Sequence, residues 1–282
     1  MLEVRREAHA KVNLFLRVLG RREDGYHDIE SLIVPLSLHD TVVCREAGGL
    51  SLNVEGSDPS LPSDSGNLAL VAALALSERA GVLKGADIDL VKRIPVAAGL
   101  GGGSADAAAV LVALNELWKC GLSEEALMEV GADVGSDVPA ILADRPVLVS
   151  GRGERLRAVG VPGLHWVIVP SALQVRTPDA FSWWDEDGCS SGPDPGWFVE
   201  ALASGDLASV RDGFSNDLEV PVFARYPELE EVKRLLLDHG ALGAIMCGSG
   251  PTMAGVFTDP DAAAGASRDI GESIVAISRG AA

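Results

Sequence analysis

The stretch Pro95-Val-Ala-Ala-Gly-Leu-Gly-Gly-Gly-Ser-Ala-Asp-Ala-Ala-Ala109 limits what this chain can fold into more than any other. Alternating apolar residues from Asp87 to Val91 precede it and predict a strand, and an alanine-rich run through Trp118 predicts a helix after it. Strand, glycine loop and helix start therefore follow one another. Glycines leave the backbone bare, so its N–H groups can turn toward an anion. A helix N-terminus adds further unpaired N–H groups and about half a positive charge. The pattern points to a phosphate-binding loop and a nucleotide-dependent enzyme.

Three common loops of this kind do not fit. A Walker A loop ends in Gly-Lys-Ser/Thr, whereas Gly103 is followed by Ser104-Ala105. A dinucleotide fingerprint needs GxGxxG spacing and an acid about 20 residues on, which Gly99-Leu-Gly101-Gly-Gly103-Ser104 does not supply. A protein-kinase loop joins two strands, whereas this one leads into a helix.

Charge narrows the partners. The 282 residues carry a formal net charge of −18, which repels nucleic acid and anionic membrane alike. A nucleotide site must then be locally basic. Arg5, Arg6, Lys11, Arg17, Arg21 and Arg22 supply one source, and Lys92 with Arg93 a second. Cys44, Cys120, Cys189 and Cys247 are scattered without a CxxC pair, so free thiols in a reducing compartment are expected and no side chain is singled out as a metal ligand. The N-terminus has no signal-peptide pattern and no apolar run approaches the roughly 20 residues of a membrane span. A cytoplasmic protein is expected.

Along the chain, strands are expected at Ala10–Val18, Ser31–Leu38, Thr41–Cys44 and Leu50–Val54, with a loop at Gly56–Gly66. A helix over Asn67–Arg79 should close at Gly81, and Ser104–Lys119 should form the helix after the glycine loop. Ser123 suits an N-cap, Pro139 a helical first turn, and Val147–Ser150 a strand. The Gly/Arg-rich run Arg152–Gly163 reads as a connector, dividing an N-terminal domain (1–155) from a C-terminal one (156–282). In the second, strands at His165–Val169, Ala244–Cys247, Met253–Phe257 and Ser273–Ile277 alternate with helices from Thr177-Pro178, Pro227 and Asp261, around a surface loop at Glu186–Gly196. That order fits a split βαβ sandwich.

The glycine loop resembles that of the GHMP kinases, which include galactokinase, homoserine kinase and mevalonate kinase. Ala10-Lys-Val-Asn-Leu14 followed by Gly25-Tyr-His27, then Gly135-Ser-Asp-Val-Pro139, Phe214-Ser-Asn-Asp-Leu-Glu219 and Gly248-Ser-Gly-Pro-Thr252, extends the resemblance in order from Ala10 to Phe257. This set is similar to that of the 4-diphosphocytidyl-2-C-methyl-D-erythritol kinases. The resemblance implies an α+β two-domain fold, ribosomal-protein-S5-like at the N-terminus and a ferredoxin-like α/β sandwich at the C-terminus, with the site in the cleft between them. It implies ATP and Mg²⁺, a cytidine diphosphate methylerythritol as acceptor in isoprenoid precursor synthesis, and a monomer or weak homodimer. A GHMP kinase for another small alcohol such as homoserine, and a non-catalytic nucleotide-binding protein on the same fold, are the alternatives.

On the residues alone, Asp137 reads as a capping aspartate ahead of Pro139 or as a carboxylate beside an attacking hydroxyl. Lys11 reads as a solvated strand lysine or as a cation steadying a developing alkoxide. The resemblance implies that Asp137 is the general base and Lys11 its catalytic partner. It implies that Pro95, Gly99, Leu100, Gly101, Gly102, Gly103 and Ser104 wrap the ATP phosphates, with Asn67 and Lys92 completing the ATP site. Where relatives often carry two serines, this chain has Ser104-Ala105, so a side-chain hydroxyl contact rests on Ser104. Asn13, Tyr26, His27, Thr177, Phe181, Gly248 and Ser249 are implied to bind the acceptor. His27 would read the cytosine, and Phe181 would stack on it opposite Tyr26. Simpler readings stand beside these: a turn asparagine, a half-buried aromatic, a surface histidine, a core phenylalanine and a hairpin turn.

Overall fold

In the computed structural model, which describes residues 2–56, 66–187, 194–207 and 209–280, the first two strands are far longer than the sequence pattern suggests. β1 runs from Glu3 to Arg21 and β2 from His27 to Ala47. The pattern puts a break at the polar pair His39-Asp40, yet β2 continues through it. Asp40 is buried, and its carboxylate accepts from the backbone amides of Arg93 and Ile94. A polar side chain satisfied in the interior does not end a strand.

Two compact units make up the chain, and neither is continuous in sequence. The first comprises Met1–Ala10, Leu38–Val96 and Gly101–Asp144. Here β3 (Leu50–Glu55) pairs in parallel with β4 (Gly85–Val91), which pairs antiparallel with the Thr41–Ala47 end of β2. α1 (Leu68–Ala80) and α2 (Gly102–Leu117) pack together through alanines: Ala69, Ala72 and Ala73 on one, and Ala105, Ala107, Ala108, Ala109 and Ala113 on the other. Small side chains let the two backbones approach closely. α1 ends as expected at Gly81, whose left-handed φ of 64° lets the Val82 amide return to the Ser77 carbonyl at 3.1 Å. α3 (Glu124–Val134) begins at Ser123, whose hydroxyl accepts from the Ala126 amide at 3.3 Å, and α4 (Val138–Leu142) opens with Pro139 in its first turn.

The second unit comprises Lys11–Ser37, Ala97–Leu100 and Arg145–Ala282. β5 (Val147–Gly151) pairs antiparallel with β2 over Ile29–Ile33, and with β6 (Arg155–Ala158). β6 lies inside the stretch expected to be a connector. Its side chains are nearly all exposed, so it lacks the apolar alternation by which strands are recognised. A four-stranded antiparallel sheet follows: β7 (His165–Val169), β9 (Gly243–Met246), β10 (Met253–Phe257) and β11 (Ile274–Ile277), in the order β11-β7-β10-β9. Numbered along the chain that is 4-1-3-2, the order of a split βαβ sandwich. Between β7 and β9 lie α5 (Thr177–Asp187), α6 (Pro195–Ser204), a 3₁₀ turn (Ser209–Gly213), the two-residue β8 (Ser215–Asn216), α7 (Glu219–Arg225) and α8 (Pro227–Asp238). α9 (Pro260–Ile270) precedes β11, and α8 and α9 pack on the sheet through Leu229, Leu236, Ala263 and Ala266.

Most of the expected loops at Gly56–Gly66 and Glu186–Gly196 lie outside the described residues, as does Cys189. Cys44, Cys120 and Cys247 are free, and burial pushes the thiols of Cys44 and Cys247 up to about 12, where neither is reactive. No helix among the described residues is long and apolar enough to cross a membrane.

Candidate active site

In the first unit the glycine loop becomes helix earlier than the pattern suggests. α2 starts at Gly102, and Gly101 stands at its N-cap with a left-handed φ of 71°. Ser104 is therefore not the N-cap but a first-turn residue. No side chain caps α2, so the orphan amides of its first turn are left for an anion. Beneath them lies Lys92. A Cβ added to Gly102 would sit 3.4 Å from the Lys92 Nζ, so the ammonium underlies the start of the helix.

Lys92 lies almost out of solvent at the end of β4. Its side chain is 7% exposed and clamped between the buried carboxylates of Asp40 and Asp106, the latter at 2.6 Å. Burial pushes Asp106 up to about 7 against the pull of Lys92, and the nearby Asp40 adds to the rise. Asp106 Oδ1 is buried without a hydrogen-bond partner. Asn67 caps α1, its side-chain oxygen accepting from the Ala69 amide at 3.0 Å. Its neighbour Leu68 would meet a Cβ on Gly103 at 3.5 Å, which brings the start of α1 beside the loop. Ser104 Oγ lies 3.7 Å from where a Gly135 Cβ would be, so the acidic motif Gly135–Pro139 borders the same helix start. Asp137 occupies the N-cap position of α4 but makes no side-chain cap bond. The capping reading of this half-buried carboxylate is thus set aside. Pro95 is half-buried between β4 and the loop.

In the second unit Lys11 is 4% exposed, and its Nζ donates to Asn13 Oδ1 at 2.9 Å. Asn13 Nδ2 donates to Ser31 Oγ at 2.7 Å, and Ser31 Oγ donates to the Phe15 carbonyl at 2.6 Å. Alternation along β1 puts residues 11 and 13 on one face, so Asn13 orients the lysine. The Lys11 amide donates to the Leu100 carbonyl at 2.9 Å, tying β1 to the glycine loop. Gly99 has a φ of 75°, and a Cβ there would lie 1.9 Å from the Cys247 carbonyl oxygen. A Cβ on Gly248 would lie 3.3 Å from Lys11 Nζ and 3.1 Å from the Gly99 carbonyl oxygen. Lys11, Gly99 and Gly248 are distant in sequence but adjacent here. Asn216 holds the Gly248 turn, its Nδ2 donating to the carbonyls of Met246 at 2.8 Å and Gly248 at 2.7 Å. Ser249 and Thr177 share a hydroxyl–hydroxyl bond of 2.8 Å.

A second cluster of this unit gathers aromatic residues. His27 stacks on Phe181 with ring centroids 4.7 Å apart and meets Trp184 edge-on at 5.9 Å. Its Nε2 pairs with Asp185 Oδ1 at 2.8 Å. His27 is accordingly no surface histidine, since only 9% of its side chain is exposed. Tyr26 is 51% exposed with the Arg152 guanidinium 5.2 Å over its ring. Asp40, Asp106, Asp185 and the tether role of Asn216 were not singled out in sequence. Asn216 at least lies within a motif that was.

One consequence concerns Gly99. Any side chain there meets both an unfavourable φ and a rigid backbone carbonyl, unlike a flexible side chain that can swing aside. Gly99→Ala is expected to lose at least about 2 kcal/mol of stability in urea unfolding, and most of the turnover with it.

The family profile "GHMP kinases N terminal domain" matches residues 67–145, and "GHMP kinases C terminal" matches residues 198–275. The chain is 46% identical to a 4-diphosphocytidyl-2-C-methyl-D-erythritol kinase of Pelotomaculum thermopropionicum over 259 residues, covering 91% of this chain and 90% of that protein. It is 45% identical to the protein of the same name from Symbiobacterium thermophilum, with 91% of each covered. A crystal structure of a 4-(cytidine 5'-diphospho)-2C-methyl-D-erythritol kinase superposes with a TM-score of 0.83 at 37% identity, covering 98% of this chain and all of the other.

Proposed function

The chain belongs to the 4-diphosphocytidyl-2-C-methyl-D-erythritol kinases within the GHMP kinase family, and from that premise we propose how its residues divide the work. The enzyme transfers the γ-phosphoryl group of ATP to the 2-hydroxyl of 4-diphosphocytidyl-2-C-methyl-D-erythritol, a step toward isoprenoid precursors. The observation that carries the phosphate assignment is the uncapped start of α2 behind a loop in which Gly99 has no room for a side chain. Polyphosphate oxygens accept from the amides of Gly101, Gly102, Gly103 and Ser104, and the Lys92 ammonium adds charge from below without touching them.

Asp137 accepts the proton of the 2-hydroxyl as the new P–O bond forms. Lys11, aimed by Asn13, stabilises the oxygen as it gains negative charge. Thr177, Ser249 and Gly248 hold the acceptor's diphosphate end, and the His27–Phe181 stack opens to seat the cytosine. With Asp185 accepting the Nε2 hydrogen, the opposite nitrogen of His27 is an acceptor for the cytosine amino group. The Ser104 hydroxyl in the first turn of α2 is a hard oxygen donor that would hold a Mg²⁺ bound with ATP, which would supply shielding of the phosphate charge. The enzyme works in the cytoplasm.

The test is ADP release with the cytidylylated methylerythritol, with the acceptor omitted as control, and with homoserine and mevalonate beside it. Acceptor-dependent release with the first compound alone is expected, and phosphorus NMR should find the new monoester on C2. ATP binding without acceptor-dependent turnover, or preference for homoserine, would overturn the reading.

A further inference from the structure

One group of donors lies outside the phosphate and acceptor machinery. Glu7 and His9 are two residues apart on β1 and therefore share a face, and His39 on β2 meets them. All three belong to the first unit. Their ligand atoms lie within 4.8 Å of one another, and no other group of three such donors is found among the described residues. His9 Nε2 is 3.3 Å from one Glu7 carboxylate oxygen, and His39 Nε2 is 3.6 Å from the other. The two rings stand 5.3 Å apart at 65°.

These separations are those of ligands on one ion. With Zn–N and Zn–O bonds of about 2.0–2.1 Å and a tetrahedral angle, neighbouring ligand atoms sit about 3.3 Å apart. Two Nε2-bound imidazoles on such an ion place their ring centres about 5 Å apart, again close to what is found. The donor types select the ion. Two imidazoles and one carboxylate suit zinc and its late transition-metal neighbours, whereas Mg²⁺ prefers oxygen donors throughout. Burial differs across the site in a useful way. His9 is 8% exposed, while the side chains of Glu7 and His39 are 52% and 30% exposed, so an ion has an approach from solvent and a buried anchor. An overall charge of −18 attracts a dication to the surface.

We propose that Glu7, His9 and His39 form a binding site for Zn²⁺ or a similar transition-metal dication, with water in the fourth position. The ion would clip β1 to β2 immediately before Asp40, the carboxylate that holds Lys92 and the chain ahead of the glycine loop. Because it binds only the folded strand pair, it stabilises the protein. The site is independent of which alcohol the enzyme phosphorylates.

The untagged full chain, stripped with EDTA, is titrated calorimetrically with zinc chloride, and its melting temperature is followed with and without the metal. One equivalent of Zn²⁺ is expected to bind and raise the melting temperature, EDTA to reverse the rise, and Mg²⁺ at equal concentration to leave it unchanged. Cobalt chloride should give the visible absorption of a four-coordinate Co²⁺ ion. Glu7→Gln at an exposed position and His39→Ala at a half-buried one should each weaken the binding about tenfold or more while keeping the metal-free melting temperature. Absence of saturable binding, or an unchanged affinity in either variant that still folds, overturns the proposal. So does equal stabilisation by Mg²⁺.

Discussion

Asp137→Asn is expected to lower kcat by about a thousandfold while ATP binds as before, the scale on which a positioned general base contributes. The substitution is nearly isosteric and removes the negative charge, and with it the capacity to take a proton. It should not disturb α4, because the carboxylate is not used as its cap. The turn around it is held by backbone bonds instead: the Val138 amide to the Gly135 carbonyl at 3.1 Å, and the Ile141 amide to the Asp137 carbonyl at 3.1 Å. The α2 amides proposed to bind phosphate are equally untouched, since they belong to a different helix. The loss should therefore fall on kcat, with the KM for ATP and the melting temperature close to those of the parent. Steady-state kinetics with both substrates, together with equilibrium titration of a non-hydrolysable ATP analogue, separate the two. Turnover within tenfold of the parent would remove Asp137 from the role of base. Loss of ATP affinity along with turnover would make it a binding residue instead.

The sequence carried the parts of the site that are local and lost those that are assembled. The glycine loop, the Gly135–Pro139 turn and the Gly248–Thr252 turn are legible because each needs unusual residues in consecutive positions. Helix ends marked by Gly81, Ser123 and Pro139 are legible for the same reason. The alternating strands of the 4-1-3-2 sheet could also be placed in order, and the order alone implied the topology. What failed was any feature whose cause is a distant partner. β2 passes through His39-Asp40 because Asp40 is satisfied by amides more than 50 residues away. Lys92 is legible in sequence only as a basic residue ahead of the loop, because its two carboxylates lie 52 and 14 residues off. The approach of His27 to Phe181 depends on how α5 lies against the hairpin of β1 and β2, so the string does not show that the two rings meet. The convergence of Glu7, His9 and His39 has a local half, the i, i+2 pair on β1, and a non-local half that only strand pairing supplies. β6 was missed for the opposite reason: its pairing is local, but its side chains face water and carry no pattern.

Lys92→Met is expected to cost about 3–5 kcal/mol at pH 8, because it strands two carboxylates in the interior. Asp40 and Asp106 are almost fully buried and face the same ammonium. In the parent, burial pushes Asp106 up to about 7, and Lys92, one positive charge against two acids, offsets that only in part. The sign of its linkage follows. The folded-state pKa lies above the unfolded value of 3.8, so the folded protein holds this proton more tightly than the unfolded chain does. The stabilisation from that proton is complete below the unfolded pKa and is lost as pH rises through about 7. Removing the ammonium drives Asp106 further toward its acid form, so the destabilisation of Lys92→Met should shrink on going from pH 8 to pH 6, as the second carboxylate takes up a proton. Asp106→Asn provides the converse. It leaves Lys92 paired one-to-one with Asp40, replaces a strained carboxylate by a neutral amide, and should flatten the decline in stability across the same interval with little loss at pH 8. Urea unfolding of the parent and both variants at the two pH values reads all three slopes. A parent slope unchanged by Asp106→Asn would mean that the buried proton sits elsewhere. A Lys92→Met protein as stable as the parent at pH 8 would mean that the ammonium does not neutralise this pair.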